Sequence, residues 1–191
     1  MVYWIDQVRA AILEADPTAL VGVGFFHPQT PNPTRLGDPR FIETRPAIWE
    51  SSADFIDLHA YPGVELNLQQ LVENYKIEGM ETRPIILGEF GAFKFAYPSV
   101  DDAARALVEL QVESCGYGFD GWLLWTWDTD EQPELYNGLS PSPRTPLPPG
   151  SSPTAEGAIN AALSPVNRPD PCAFDEAPSR NIALGARVSA P

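Results

Sequence analysis

The chain has 191 residues, 26 of them acidic and 12 basic, for a net charge of -14. That length is enough for one domain with a real core, and the charge argues against a phosphate-backbone partner, which needs clustered Lys and Arg. It suits a neutral or cationic substrate. No apolar run approaches the roughly 20 residues of a membrane helix. Met1-Val-Tyr-Trp-Ile-Asp6 has neither the basic start nor the apolar core of a secretory leader. Two cysteines, Cys115 and Cys172, are too few for a disulfide framework or a metal site, and whether they pair is left open.

The first element is a helix over 3–15. Its apolar positions Trp4, Val8, Ala11, Ile12 and Ala15 fall at helical spacing, and Asp16-Pro17 stops it. Leu20–Phe26 reads as a strand ending at His27-Pro28, followed by a Pro-rich loop and a weaker helical pattern over 40–52. Ala53–Tyr61 is a second strand, closed by Pro62-Gly63. Leu66–Gly79 is an amphipathic helix with Leu68, Leu71, Val72 and Tyr75 on one face and Gly79 as its stop. Pro84–Glu89 is a third strand, whose run Ile85-Ile-Leu87 has the character of a strand buried on both faces. Ser99-Val-Asp-Asp102 has the form of a capping box opening a helix that carries Ala103, Ala106, Leu107, Leu110, Val112 and Cys115. Gly121–Trp127 is a fourth strand, 129–152 a loop rich in Pro and acids, and Pro153–Leu163 a last helix with Pro153 at its first position.

Strand ends recur at the spacing of βαβ units, about 30 residues or more. The class is therefore α/β, with four parallel strands joined by crossover helices. A complete (β/α)₈ barrel needs about 250 residues. The periodicity is compatible with an open four-stranded sheet or with half a barrel.

Ligands in parallel α/β sheets sit at the C-terminal strand ends. There the second strand places Asp57, His59 and Tyr61 on one face by alternation, the third ends on Glu89, and the fourth brings Leu123, Trp125 and Trp127, with Asp128 beyond. His59, Tyr61, Glu89, Trp125 and Trp127 form the candidate set. Phenol and imidazole donors keep a carboxylate ionised and aimed, and an indole offers a flat apolar surface to a sugar ring. Glycoside hydrolysis with retention uses a nucleophilic carboxylate and a second carboxyl as acid/base. No strand lysine for a Schiff base is present, since Lys76 lies in a helix and Lys94 in a loop. There is also no Gly-x-Ser-x-Gly elbow, P-loop or His-Glu-x-x-His motif.

Leu-His59-Ala-Tyr61-Pro, Ile-Leu-Gly-Glu89-Phe-Gly91 and Gly-Trp-Leu-Leu-Trp125-Thr-Trp127 resemble strands six, seven and eight of a cellulase-like (family 5, clan A) glycoside hydrolase. The resemblance covers residues 1–163 and implies the C-terminal half of a (β/α)₈ barrel. It implies Glu89 as nucleophile, His59 and Tyr61 as its hydrogen-bonding neighbours, Trp125 as sugar platform, and Trp127 and Asp128 as further substrate contacts. No metal or cofactor is implied. The partners expected are a poly- or oligosaccharide and the preceding half of the barrel, with no nucleic acid and no membrane. The expected location is extracellular. The family's acid/base glutamate follows an asparagine on strand four. No such pair stands near the start here, so the acid/base is expected upstream of Met1 and the chain alone is expected to be inactive. Asp128, Asp130, Glu131 and Glu134 lie on a loop and read as solvated. Half a barrel leaves open sheet edges, which favours self-association. After a Pro-rich linker over 164–178, residues 179–191 resemble the opening strand of a discoidin-like (factor V/VIII type C) module. A reading from another class is a non-catalytic sugar-binding protein using Trp125, Trp127 and the acidic loop.

Overall fold

The computed structural model describes residues 2–25, 49–64, 66–75, 77, 82–127, 132–142 and 157–173. Expectations for Phe26, His27, most of the 40–52 helix, Lys76, Gly79, Asp128, Asp130, Glu131, Pro153 and the 179–191 tail lie outside these residues. The described residues belong to two compact units, one spanning 1–90 with 114–124, the other 91–113 with 125–191.

The first unit holds a four-stranded parallel sheet of β1 (Gly22–Phe25), β2 (Phe55–Ala60), β3 (Ile85–Phe90) and β5 (Gly121–Leu124), each beside the one before it in the chain. Residues alternate in burial along β2. Ile56, Leu58 and Ala60 are buried with Ile85, Leu87 and Phe90 of β3, while Phe55, Asp57 and His59 lie on the half-exposed face. An aspartate just before a strand clips the start of its neighbour twice over. The Asp54 amide donates to the Val21 carbonyl at 2.8 Å and its carboxylate accepts from the Val21 amide at 2.9 Å. Asp120 makes the same pair of bonds with Ile85, at 2.7 and 3.1 Å.

Two helices complete this unit. α2 (Leu68–Tyr75) is capped reciprocally, Asn67 Oδ1 accepting from the Gln70 amide at 2.8 Å and Gln70 Oε1 from the Asn67 amide at 3.0 Å. Its predicted face of Leu68, Leu71, Val72 and Tyr75 is buried, and the Tyr75 ring meets Phe25 of β1 at 6.0 Å. α1 (Val2–Ala15) forms where expected but turns a different face inward. Of its apolar residues only Ile5 is fully buried, and Trp4 is 60% exposed. Two polar anchors set this rotation. Arg9 reaches Asp54 through two nitrogens, at 3.1 and 2.6 Å, and Asp6 accepts from the Ser52 amide and hydroxyl, each at 2.7 Å. Residues 5, 6 and 9 share a helix side that is offset from the apolar stripe.

In the second unit a short antiparallel ribbon pairs β4 (Ala92–Phe93) with β6 (Leu135–Tyr136), which the sequence reading did not anticipate. Lys94 Nζ ties it further, donating to the Pro133 carbonyl at 2.6 Å. α3 (Val100–Gly116) begins at the predicted cap, with the Asp102 amide donating to Ser99 Oγ at 3.1 Å and the Ser99 hydroxyl to Asp102 at 2.6 Å. It buries Ala103, Ala104, Leu107, Leu110, Gln111 and Ser114. α4 (Ala158–Leu163) starts at Ala158, because Gly157 is extended rather than helical. Residues 164–173 are held through Arg168, which donates to Gln111 Oε1 and to the Pro171 carbonyl, both at 2.6 Å. Cys115 and Cys172, left open by the sequence, are both disulfide-bonded. No helix among the described residues is long and apolar enough to cross a membrane.

Candidate active site

Alternation along β2 carries Asp57 and His59 to the half-exposed face of the sheet, and Tyr61 follows just past the strand end. Plain alternation along β3 would put Glu89 on the opposite face, with Ile85 and Leu87. A register shift prevents this. Leu58 pairs with Leu87, and the next pair is His59 with Glu89, so Gly88 is an extra residue on β3. Burial follows the shift, for Gly88 and Glu89 are both half-exposed and Phe90 is buried again. A bulge of this kind re-aims a side chain, and here it delivers Glu89 to the face of Asp57 and His59.

The result is a compact polar array. Tyr61 Oη donates to Glu89 Oε1. His59 Nδ1 stands 3.3 Å from Glu89 Oε2, and His59 Nε2 stands 3.5 Å from Asp57 Oδ1. Glu89 keeps 15% of its side chain exposed, which leaves its carboxylate approachable. Burial, and then the Glu89 carboxylate that accepts its proton, raise the Tyr61 phenol above its ordinary range, so it remains a donor. Burial also raises the Asp57 carboxyl, a shift opposed by His59 and by the Gly88 amide.

His59, Tyr61 and Glu89 are thus brought together, the first two by their positions on and just after β2 and Glu89 by the register shift at Gly88. Asp57 joins them, on the face where alternation along β2 places it, although the candidate set did not include it. The missed signal is glycine. A Cβ on Gly88 would fall 2.0 Å from Asp57 Oδ1, and one on Gly24 would fall 2.9 Å from His59 Nε2. Small residues on both flanking strands clear the space these two side chains occupy.

Trp125 and Trp127 belong to the second unit. The expected fourth strand stops at Leu124, so both follow β5 rather than lie on it. The Trp125–Thr126 peptide is cis. The Trp125 indole Nε1 donates to Gln132 Oε1 at 2.6 Å, and the two rings are 39% and 51% exposed. Asp128 lies outside the described residues. Glu134, the one expected loop acid that is described, is exposed. No group of three or more His, Cys, Asp and Glu able to hold a metal occurs among the described residues.

No protein-family model matches the chain, and no curated protein or solved structure matches it either.

Proposed function

We propose that the chain is the nucleophile-bearing half of a retaining glycoside hydrolase of the cellulase-like kind, with Glu89 attacking the anomeric carbon of a poly- or oligosaccharide. One observation carries the reading: an approachable carboxylate on the polar face of a parallel sheet, that of Glu89, faces a phenol on one oxygen and an imidazole on the other. Tyr61 holds one Glu89 oxygen as a hydrogen-bond donor, and His59 faces the second. The unbroken order β1-β2-β3-β5 supports a singly wound, half-barrel arrangement, since doubly wound sheets reverse their strand order at the binding crevice.

In the reaction, a Glu89 oxygen forms a bond to the anomeric carbon as the bond to the leaving oxygen breaks. Water then cleaves the glycosyl ester, assisted by a second carboxyl about 5–5.5 Å away. On the family resemblance that carboxyl belongs to the preceding half of the barrel, and Trp125, Trp127 and Asp128 contact the sugar. The same resemblance makes the location extracellular. The exposed Trp125, Trp127 and Phe95 favour a second reading, a non-catalytic sugar binder.

A trapping experiment separates the two. A 2-deoxy-2-fluoro glycoside with a dinitrophenolate leaving group needs no acid to depart, so the nucleophile alone is sufficient for labelling. Gluco- and manno-configured reagents should add one fluorosugar per chain, located by mass spectrometry on the Glu89 peptide and absent in Glu89→Gln. Labelling at another residue overturns the assignment. Binding of gluco- or manno-oligosaccharides with no labelling under any condition favours the binder.

A further inference from the structure

We infer that Gln132 is a positioning residue for Trp125: it holds the indole by its N–H, so that the ring meets a ligand as a fixed apolar platform, and the β4–β6 ribbon is the frame that holds Gln132. The inference rests on the reading of Trp125 as a sugar contact, and it applies to a hydrolase and to a sugar binder alike.

The chemistry of the tie leaves one arrangement. An indole nitrogen can only donate, so the oxygen of the Gln132 amide, not its nitrogen, faces it. Trp125 Nε1 donates to Gln132 Oε1 at 2.6 Å. Gln132 is half-buried and Trp125 is 39% exposed. A bond this close to water adds modestly to stability. Its larger effect is on orientation, because a tryptophan has two side-chain torsions and a bond at the N–H edge restricts both.

Gln132 is itself held in place. Its carbonyl accepts from the Leu135 amide at 3.1 Å, and Leu135 pairs with Phe93 across the ribbon. Lys94, which follows β4, grips the same turn twice. Its amide donates to the Glu134 carbonyl at 2.8 Å and its Nζ to the Pro133 carbonyl at 2.6 Å. Beyond β6 the Gly138 amide donates to the Thr126 carbonyl at 3.0 Å. Segment 132–138 therefore holds Trp125 by its ring and the next residue by its backbone. A two-stranded ribbon with two residues in each strand has little stability of its own, and bracing Trp125 gives it a role. All of these residues lie in one compact unit.

This arrangement decides what Trp125 can offer. Its only polar hydrogen is committed to Gln132, so a sugar hydroxyl finds no donor on the ring. What remains is apolar ring surface, which suits the C–H face of a pyranose. A ring left to rotate would have to be ordered at each binding event, weakening binding by about three- to tenfold.

The test is ¹H–¹⁵N NMR of the indoles on the full chain, with titration of cellohexaose and mannohexaose. Five tryptophans are present, and Trp125→Phe assigns the signal of interest. The wild-type Trp125 Nε1–H is expected downfield and slow to exchange with water. Gln132→Met keeps the bulk of the side chain and lacks the acceptor. It should move that signal upfield and speed its exchange, with the Trp4 and Trp122 signals unmoved as evidence of an intact fold. It should also weaken hexasaccharide binding by about three- to tenfold. Gln132→Glu restores an acceptor oxygen and should restore both the signal and the affinity. If Gln132→Met fails to fold, Lys94→Met, which frees the Pro133 carbonyl of the same turn, must speed exchange of the Trp125 N–H. An unchanged Trp125 signal in folded Gln132→Met, or in Lys94→Met where that variant stands in, overturns the inference. So does wild-type affinity in Gln132→Met with the N–H released. Failure of the underlying reading looks different: a Trp125→Ala chain that binds both sugars as the wild type does refutes Trp125 as a sugar contact, and the platform with it. Absence of fluorosugar labelling alongside the expected Gln132 effects refutes the nucleophile alone.

Discussion

At the scale of single residues the site trades stability for a fixed array. Asp57 has a carboxyl raised by burial, so between the ordinary aspartate value of 3.8 and its raised value the folded chain holds more protons than the unfolded one. Stability from this group is therefore greatest at low pH and falls as pH rises through that window. Asp57→Asn removes the penalty, and its unfolding midpoint should exceed the wild type's at neutral pH and converge with it toward pH 4. Thermal unfolding across pH checks this. Tyr61→Phe should act in the opposite sense on function: Glu89 loses its phenol donor, and fluorosugar labelling should slow by tenfold or more, about 1.4 kcal/mol or more of lost stabilisation. Labelling kinetics with the fold verified by circular dichroism would show it. D-x-H-x-Y places three polar side chains on one face by alternation, and that much is legible in the string Asp57-Leu-His59-Ala-Tyr61. Glu89 is not legible in the same way. Its facing depends on the register slip at Gly88, and no local pattern announces which glycine in a strand is a bulge.

At the scale of elements, polar clips set positions that hydrophobic pattern only approximates. Asp54 is held below the usual carboxylate range first by the Arg9 guanidinium and then by the Val21 amide. Its contribution is present above the ordinary value and is lost as pH falls through its lowered one. Arg9→Met should thus lower stability at neutral pH and flatten the wild type's loss of stability below about pH 4, measured by denaturant unfolding at several pH values. The Ser99 cap is a simpler case. Ser99→Ala should cost about 1 kcal/mol, because it leaves the Asp102 amide without its acceptor. Caps were readable because they are local, as Ser99-x-x-Asp102 demonstrates. The inward side of α1 was not, since Trp4, Val8, Ala11, Ile12 and Ala15 spell an apolar stripe while Arg9 and Asp6 find partners on residues 52 and 54, far along the chain.

At the scale of the whole molecule, both cysteines are disulfide-bonded. Reduction should lower the unfolding free energy by roughly 2–5 kcal/mol, read as a drop in denaturant midpoint, and Cys115→Ser should match it. Among the described residues β1 and β5 are the outer strands of the sheet, and β5 buries none of its four residues. What the sequence determined by itself was the class and the order of parts. Helical and extended periodicities, strand spacing, caps and the alternation on β2 are all properties of neighbours in the chain, and α2 with its buried Leu68, Leu71, Val72 and Tyr75 shows how far they reach. The tertiary structure alone decided the aim of Glu89, the rotation of α1 and the β4–β6 ribbon. Each depends on pairing between residues distant in sequence, where a register shift of one residue or one long-range ion pair reverses which side of an element faces inward.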